Sequence, residues 1–113
     1  MLITMNVQQR LNLEGIIRQQ RVPDGDDLMT LYEMRKKIGF TDEERERYVI
    51  VENGIVKLTP AVQQDPPVEI DLERGEMRKL KGLLNDWKFS VDDVDWYTPL
   101  REALLQGINK KET

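Results

Sequence analysis

The chain has 113 residues, of which 39% are hydrophobic and 34% charged, with a formal charge of -4 and neither cysteine nor histidine. That length suits one domain with a modest core, and the missing side chains exclude disulfides, thiolate nucleophiles, sulfur or imidazole metal sites and histidine-dependent triads. No apolar run approaches the roughly 18 residues of a membrane span, residues 1 to 7 lack a secretory pattern, and a negative balance disfavours nucleic acid, so a cytoplasmic protein that binds neither membrane nor DNA is expected.

Apolar residues at Val7, Leu11, Leu13, Ile16 and Ile17 recur at helical spacing between Asn6, a capping residue, and Gln20. The alternation Ile3, Met5, Val7 supports a β-start as the competing reading. Val22-Pro23-Asp24-Gly25 then stops the element. Asp26 to Ile38 reads as a second helix: acidic at its start, basic through Arg35, Lys36 and Lys37 at its end, with Gly39 beyond. In Thr41-Asp42-Glu43-Glu44, hydroxyl and carboxylate are spaced for a capping box, which predicts a short third helix to about Tyr48.

Val49 to Leu58 places β-branched runs on either side of Asn53-Gly54, the dipeptide suited to a two-residue type I′ turn. Pro60 ends the second strand, Gln63 to Pro67 reads as an extended connector, and Val68, Ile70 and Leu72 alternate as a half-buried third strand. Helical spacing returns through Met77, Leu80, Leu83, Leu84 and Trp87, placing a helix over Glu73 to Trp87. Ser90 and Asp93 form another capping pattern, and Thr98-Pro99 is expected to open a last helix through Leu100, Leu104 and Leu105 to about Gly107. Residues 109–113 should fray. The sum is a single α+β domain, mostly helical: three N-terminal helices, a β-hairpin to which a third strand can be added, and two or three C-terminal helices.

Three helices followed by a hairpin resembles the element order of winged helix-turn-helix domains, which would make the Thr41–Tyr48 helix the reader of a DNA groove. Lys36, Lys37, Arg45 and Arg47 would then face phosphate, whereas Asp42, Glu43, Glu44 and Glu46 on the same helix would repel it. Arg74, Arg78 and Lys81 read as a solvated helix face. The most distinctive local composition is Asp92, Asp93 and Asp95 beside Trp96, Tyr97 and Leu100. An acidic, aromatic surface suits docking of a protein partner, while the competing and stronger reading for Trp87 and Trp96 themselves is core packing, with the aspartates as caps. Neither this cluster nor Asp24 to Asp27 has the alternating ligand spacing of a calcium loop, so no metal or other cofactor is expected.

The runs Gln9-Arg10-Leu11-Asn12-Leu13, Leu31 to Arg35, and Ile38-Gly39-Phe40-Thr41-Asp42-Glu43-Glu44 resemble a pattern in small uncharacterised proteins encoded by bacteriophages and prophages. That resemblance covers the first half of the chain, implies a phage origin and a bacterial cytoplasm, and brings no activity with it. The leading expectation is a non-enzymatic interaction module that binds another protein or its own copy, centred on Trp96, Tyr97, Leu100 and the neighbouring aspartates. A DNA-binding regulator is the alternative, and a carboxylate-dependent hydrolase ranks below both.

Overall fold

The computed structural model describes residues 1–22 and 24–109. Both readings of the N-terminus hold, for successive segments. Leu2–Met5 is a strand, β1, with Ile3 and Met5 buried, and Asn6 caps a helix, α1, over Val7–Arg18. The cap is reciprocal: Asn6 Oδ1 accepts from the Gln9 N–H and Gln9 Oε1 from the Asn6 N–H, each at 2.8 Å. Asp24 caps α2, Gly25–Ile38, and Thr41 with Glu44 caps α3, Asp42–Tyr48.

The hairpin consists of β2, Val49–Glu52, and β3, Ile55–Leu58. The connector expected to be extended from Gln63 instead begins within one helical turn, α4, over Ala61–Gln64. Pro60 already has helical backbone angles there, and the turn drops Val62 into a small cluster with Val7 and Tyr48. The alternating segment forms β4, Val68–Asp71, which pairs antiparallel with β1 rather than with the hairpin, Ile3 opposite Ile70. Helix α5, Arg74–Asp86, follows, capped by Glu73 with Glu76.

The last helix does not open at Thr98-Pro99. A single 3₁₀ turn, Val91–Asp93, leads directly into α6, Val94–Asn109, and Pro99 lies inside it. Proline there forfeits the hydrogen bond to the Asp95 carbonyl; the helix forms regardless because Trp96, Leu100 and Leu104 share one buried stripe. Of the tail expected to fray, all but Asn109 lies outside the described residues, as does Pro23.

Helix α1 packs on α2 and α6, α6 on α5 and β1, and α2 on β4, so the two-stranded ribbon β1–β4 is walled by helices. The core runs from Ile3, Met5, Leu13 and Ile16 through Met34 and Ile38 to Leu72, Met77, Leu80, Leu84, Leu100 and Leu104. Polar side chains fasten the helices across it. Gln9 Nε2 donates to the Trp96 carbonyl at 3.0 Å, and Lys37 Nζ meets the buried Glu76 carboxylate at 2.6 Å.

Arg10 makes the most extensive set of contacts, with only 5% of the residue exposed. Its Nε donates to the Ile38 carbonyl at 3.0 Å and its Nη2 to the Gly39 carbonyl at 2.9 Å, while Nη1 meets Glu44 Oε2 at 2.7 Å. The guanidinium also lies 4.5 Å from the Phe40 ring centre. One side chain of α1 thus fastens the end of α2 to the start of α3. Gly39 belongs to the same joint, because a Cβ there would sit 2.6 Å from the Arg35 carbonyl oxygen.

Replacing Arg10 by methionine should therefore lower the unfolding free energy by about 2–4 kcal/mol, since it strands two helix-end carbonyls and a half-buried carboxylate. Urea unfolding at neutral pH measures this. Glu44→Gln should cost less, because Arg10 keeps both carbonyls; equal losses in the two variants would refute this division of roles.

Candidate functional site

The expected interaction centre does not form a surface. Leu100 is 1% exposed and Trp96 9%, both within the main core, and Tyr97 is half-buried against Phe89, with ring centres 4.5 Å apart. Trp96 Nε1 donates to Asp93 Oδ1 at 3.0 Å, while Asp93 Oδ2 accepts from the Ser90 N–H at 2.9 Å. Those hydrogen bonds, the indole's foremost, hold the Asp93 carboxyl below its ordinary range. Asp93 is therefore a cap and an anchor for the indole. Asp92 and Asp95 alone face solvent, which corrects the expectation of an aromatic patch framed by acids.

The four cations of the DNA-binding alternative are already engaged. Lys37 is bound to Glu76, Lys36 lies 3.7 Å from Glu33, Arg45 is paired with Glu14, and Arg47 with Asp65. At Lys37, Arg45 and Arg47 a phosphate would have to compete with a hydrogen-bonded carboxylate. Among the described residues, no three acidic side chains converge closely enough to hold a metal ion.

What stands out is the hairpin. Asn53 and Gly54 have φ of 52° and 76°, the doubly left-handed pair of a type I′ turn, which asparagine and glycine adopt most readily. The turn sets the register Val49 opposite Leu58, Ile50 opposite Lys57, Val51 opposite Val56, and Glu52 opposite Ile55. Opposed side chains share a face, and faces alternate along a strand. One face is therefore Val49, Val51, Val56 and Leu58, wholly aliphatic. The other carries Ile50 and Ile55 with a diagonal ion pair, Lys57 Nζ to Glu52 Oε2, at 3.6 Å.

Every residue from 50 to 58 is exposed. Val51 keeps 67% of its surface in water, Val56 66% and Leu58 48%, so this part of the aliphatic face is covered by nothing among the described residues, whereas Val49 is half-buried at the root. An isolated two-stranded ribbon is marginal in water, and contiguous exposed apolar surface of this kind marks places where proteins meet.

Its root is nevertheless held firmly. The Thr59 N–H donates to the Tyr48 carbonyl at 2.9 Å, adding one rung to the ladder, and the Thr59 hydroxyl donates to the Arg47 carbonyl at 2.6 Å. Arg47 Nε reaches Asp65 Oδ2 at 2.6 Å, and the Tyr48 hydroxyl donates to the same oxygen. Val49 joins the cluster of Val7, Tyr48 and Val62. The sequence reading identified this hairpin but not its exposure. The available signal was that the Asn-Gly register leaves one face without a single polar residue.

The Arg47 guanidinium first, then the Tyr48 hydroxyl, lower the Asp65 carboxyl from an ordinary 3.8 to about 2. A depressed carboxylate stabilises the folded state above its unfolded value and ceases to do so as pH falls through its folded value. The hairpin root should accordingly lose this support between about pH 4 and pH 2. Carbon-detected NMR titration of the Asp65 carboxyl checks it, as does amide exchange at Thr59, which Asp65→Asn should accelerate at neutral pH. A midpoint near 4 would refute it.

The chain matches no family model, no curated protein and no solved structure, so its own surface carries the functional reading.

Proposed function

We propose that the chain is a small interaction module without chemistry of its own, which binds protein through the aliphatic face of its hairpin. One observation carries this reading: Val51, Val56 and Leu58 form a continuous apolar face in water on an arm whose root is secured by hydrogen bonds and ion pairs. Burial of such a face is worth roughly 25 cal/mol per Å² of apolar surface, whereas leaving it exposed invites promiscuous aggregation. A firmly rooted arm presents the face without having to order it at the moment of contact, which lowers the cost of binding.

The C-terminal acids enter this reading only as solvated surface, because the aromatic side chains beside them are occupied in the core. A cytoplasmic setting and a phage origin belong to the same proposal, supported by the cysteine-free composition and by the N-terminal sequence pattern. No helix among the described residues is long and apolar enough to cross a membrane.

Matched affinity baits test it: the unaltered chain and the double variant Val51→Thr, Val56→Thr, which keeps strand-forming β-branched shapes but adds hydroxyls. The far-UV circular dichroism of the two should coincide, and a protein retained by the first should be lost from the second, whether that protein is foreign or a tagged copy of this chain. Identical retention by both baits would overturn the assignment of the hairpin as the contact surface.

A further inference from the structure

The ribbon of β1 and β4 has one edge that the fold leaves open. Met1 and Leu72 exchange two backbone hydrogen bonds: the Leu72 N–H donates to the Met1 carbonyl at 2.9 Å, and the Met1 ammonium to the Leu72 carbonyl at 3.0 Å. Bonded and unbonded pairs alternate along an antiparallel ladder, so the pairs bonded to β4 are those of Met1, Ile3 and Met5. The N–H and C=O groups of Leu2 and Thr4 therefore point away from β4, and no group among the described residues meets them. Asn6 closes this stretch, because its N–H is taken by Gln9 Oε1.

The open edge borders a groove. A cavity of about 460 Å³ runs between β1 and one stripe of α6, Asp95, Pro99, Ala103 and Gln106, and no residue of β4 lines it. Gln9 binds the Trp96 carbonyl and Gly107 lies beside Met1 Sδ, so α6 passes β1 in the opposite direction, with Asp95 at the Asn6 end. The devices that ordinarily protect a strand edge, a charged side chain, a proline or a bulge, are missing from Leu2–Met5.

The geometry points to a second docking site, independent of the hairpin: an extended, basic strand of another protein adds to β1 in antiparallel pairing and fills this groove. Main-chain donors and acceptors repeating every second residue match an extended backbone, whereas a helix has already bonded its own. Residues of the added strand opposite Leu2 and Thr4 exchange hydrogen bonds with them and carry their side chains on the outer face. The residue between them, opposite Ile3, turns its side chain toward Pro99 and Ala103. The outer face is acidic, because Asp71 stands opposite Leu2 and Glu69 opposite Thr4. Asp71 is shared with the Met1 ammonium, but Glu69 and the groove's Asp95 have no ion pair among the described residues. Cations at the hydrogen-bonded positions with aliphatic residues between them complement this site. A second copy of the chain, at -4 and with an uncharged β1, does not.

The test adds a blocked hexapeptide of alternating valine and lysine to the isotope-labelled full chain, at up to about 5 mM, which nearly saturates even a contact of about 1 mM affinity. Amide exchange at Leu2 and Thr4 should slow about tenfold or more, and a nuclear Overhauser contact should join Ile3 Hα to a valine Hα of the peptide. A valine and glutamate hexapeptide should bind about tenfold more weakly, and Asp95→Lys should narrow that preference. Added salt should weaken the lysine peptide. Thr4→Pro removes one outward N–H without touching the bonds to β4 and should abolish binding, whereas Thr4→Val keeps the N–H and should not.

The same peptide with its lysine backbone nitrogens methylated keeps every charge but loses the N–H groups that meet β1. It should not bind, and this decides the matter if Thr4→Pro fails to fold. Unchanged exchange at Leu2 and Thr4 with the lysine peptide overturns the inference, as does undiminished binding of the methylated one. Equal binding of the lysine and glutamate peptides overturns it as well. None of these results bears on the hairpin, which Val51→Thr, Val56→Thr tests separately.

Discussion

The N-terminal half of the molecule is assembled around one guanidinium. A helix that ends inside a protein leaves carbonyls without partners, and a helix that begins leaves N–H groups; at the joint of α2 and α3 both problems fall within four residues. Arg10 answers the first by donating to the Ile38 and Gly39 carbonyls. Glu44, which answers the second by accepting from the Thr41 N–H, is in turn held by Arg10. Each group would be costly to bury alone, and together they are satisfied. The Glu44 carboxyl is lowered mainly by its hydrogen bond from Arg10.

From that joint the order of forces continues outward to the arm. α3 is only two turns long and its exposed side is acidic, so it contributes little to the core beyond Tyr48. Tyr48 is also where the hairpin starts. Its ring packs with Val7 and Val62, its carbonyl accepts from Thr59, and its hydroxyl reaches Asp65. The arm is thus connected to the body through a small second cluster rather than through the main core. A rigid root and an uncovered aliphatic blade are compatible because they rest on different interactions, ionic and hydrogen-bonded below, apolar above. The proposed contact surface uses only the second kind.

The candidate site was less legible than the fold, and the reason is physical. Tryptophan and tyrosine beside aspartates are equally suited to a docking patch and to a capped, packed turn, since an indole N–H needs a partner in either place. Here Asp93 is that partner, and Trp96 faces inward. Lysines and arginines give no sign in sequence of which carboxylate they will meet: Arg45 finds Glu14 and Lys37 finds Glu76 only after the helices have packed. The hairpin's exposure was equally illegible, because β-branched runs form a strand whether or not anything covers it.

Local chemistry that acts within a few residues was determined by the sequence itself. The Thr41–Glu44 and Ser90–Asp93 boxes, the Asn53-Gly54 turn with its register, and the periodic stripe of α5 form as their spacing predicts, because capping and turn geometry need no distant partner. Tertiary structure alone decided the rest. It paired β1 with β4 across most of the chain, drew Pro99 into a helix because Trp96 and Leu100 had a core to enter, buried Arg10, and left Val51 and Val56 in water. Pairing, burial and exposure depend on which surfaces are brought together, and that information is spread over the whole chain rather than carried by any one segment.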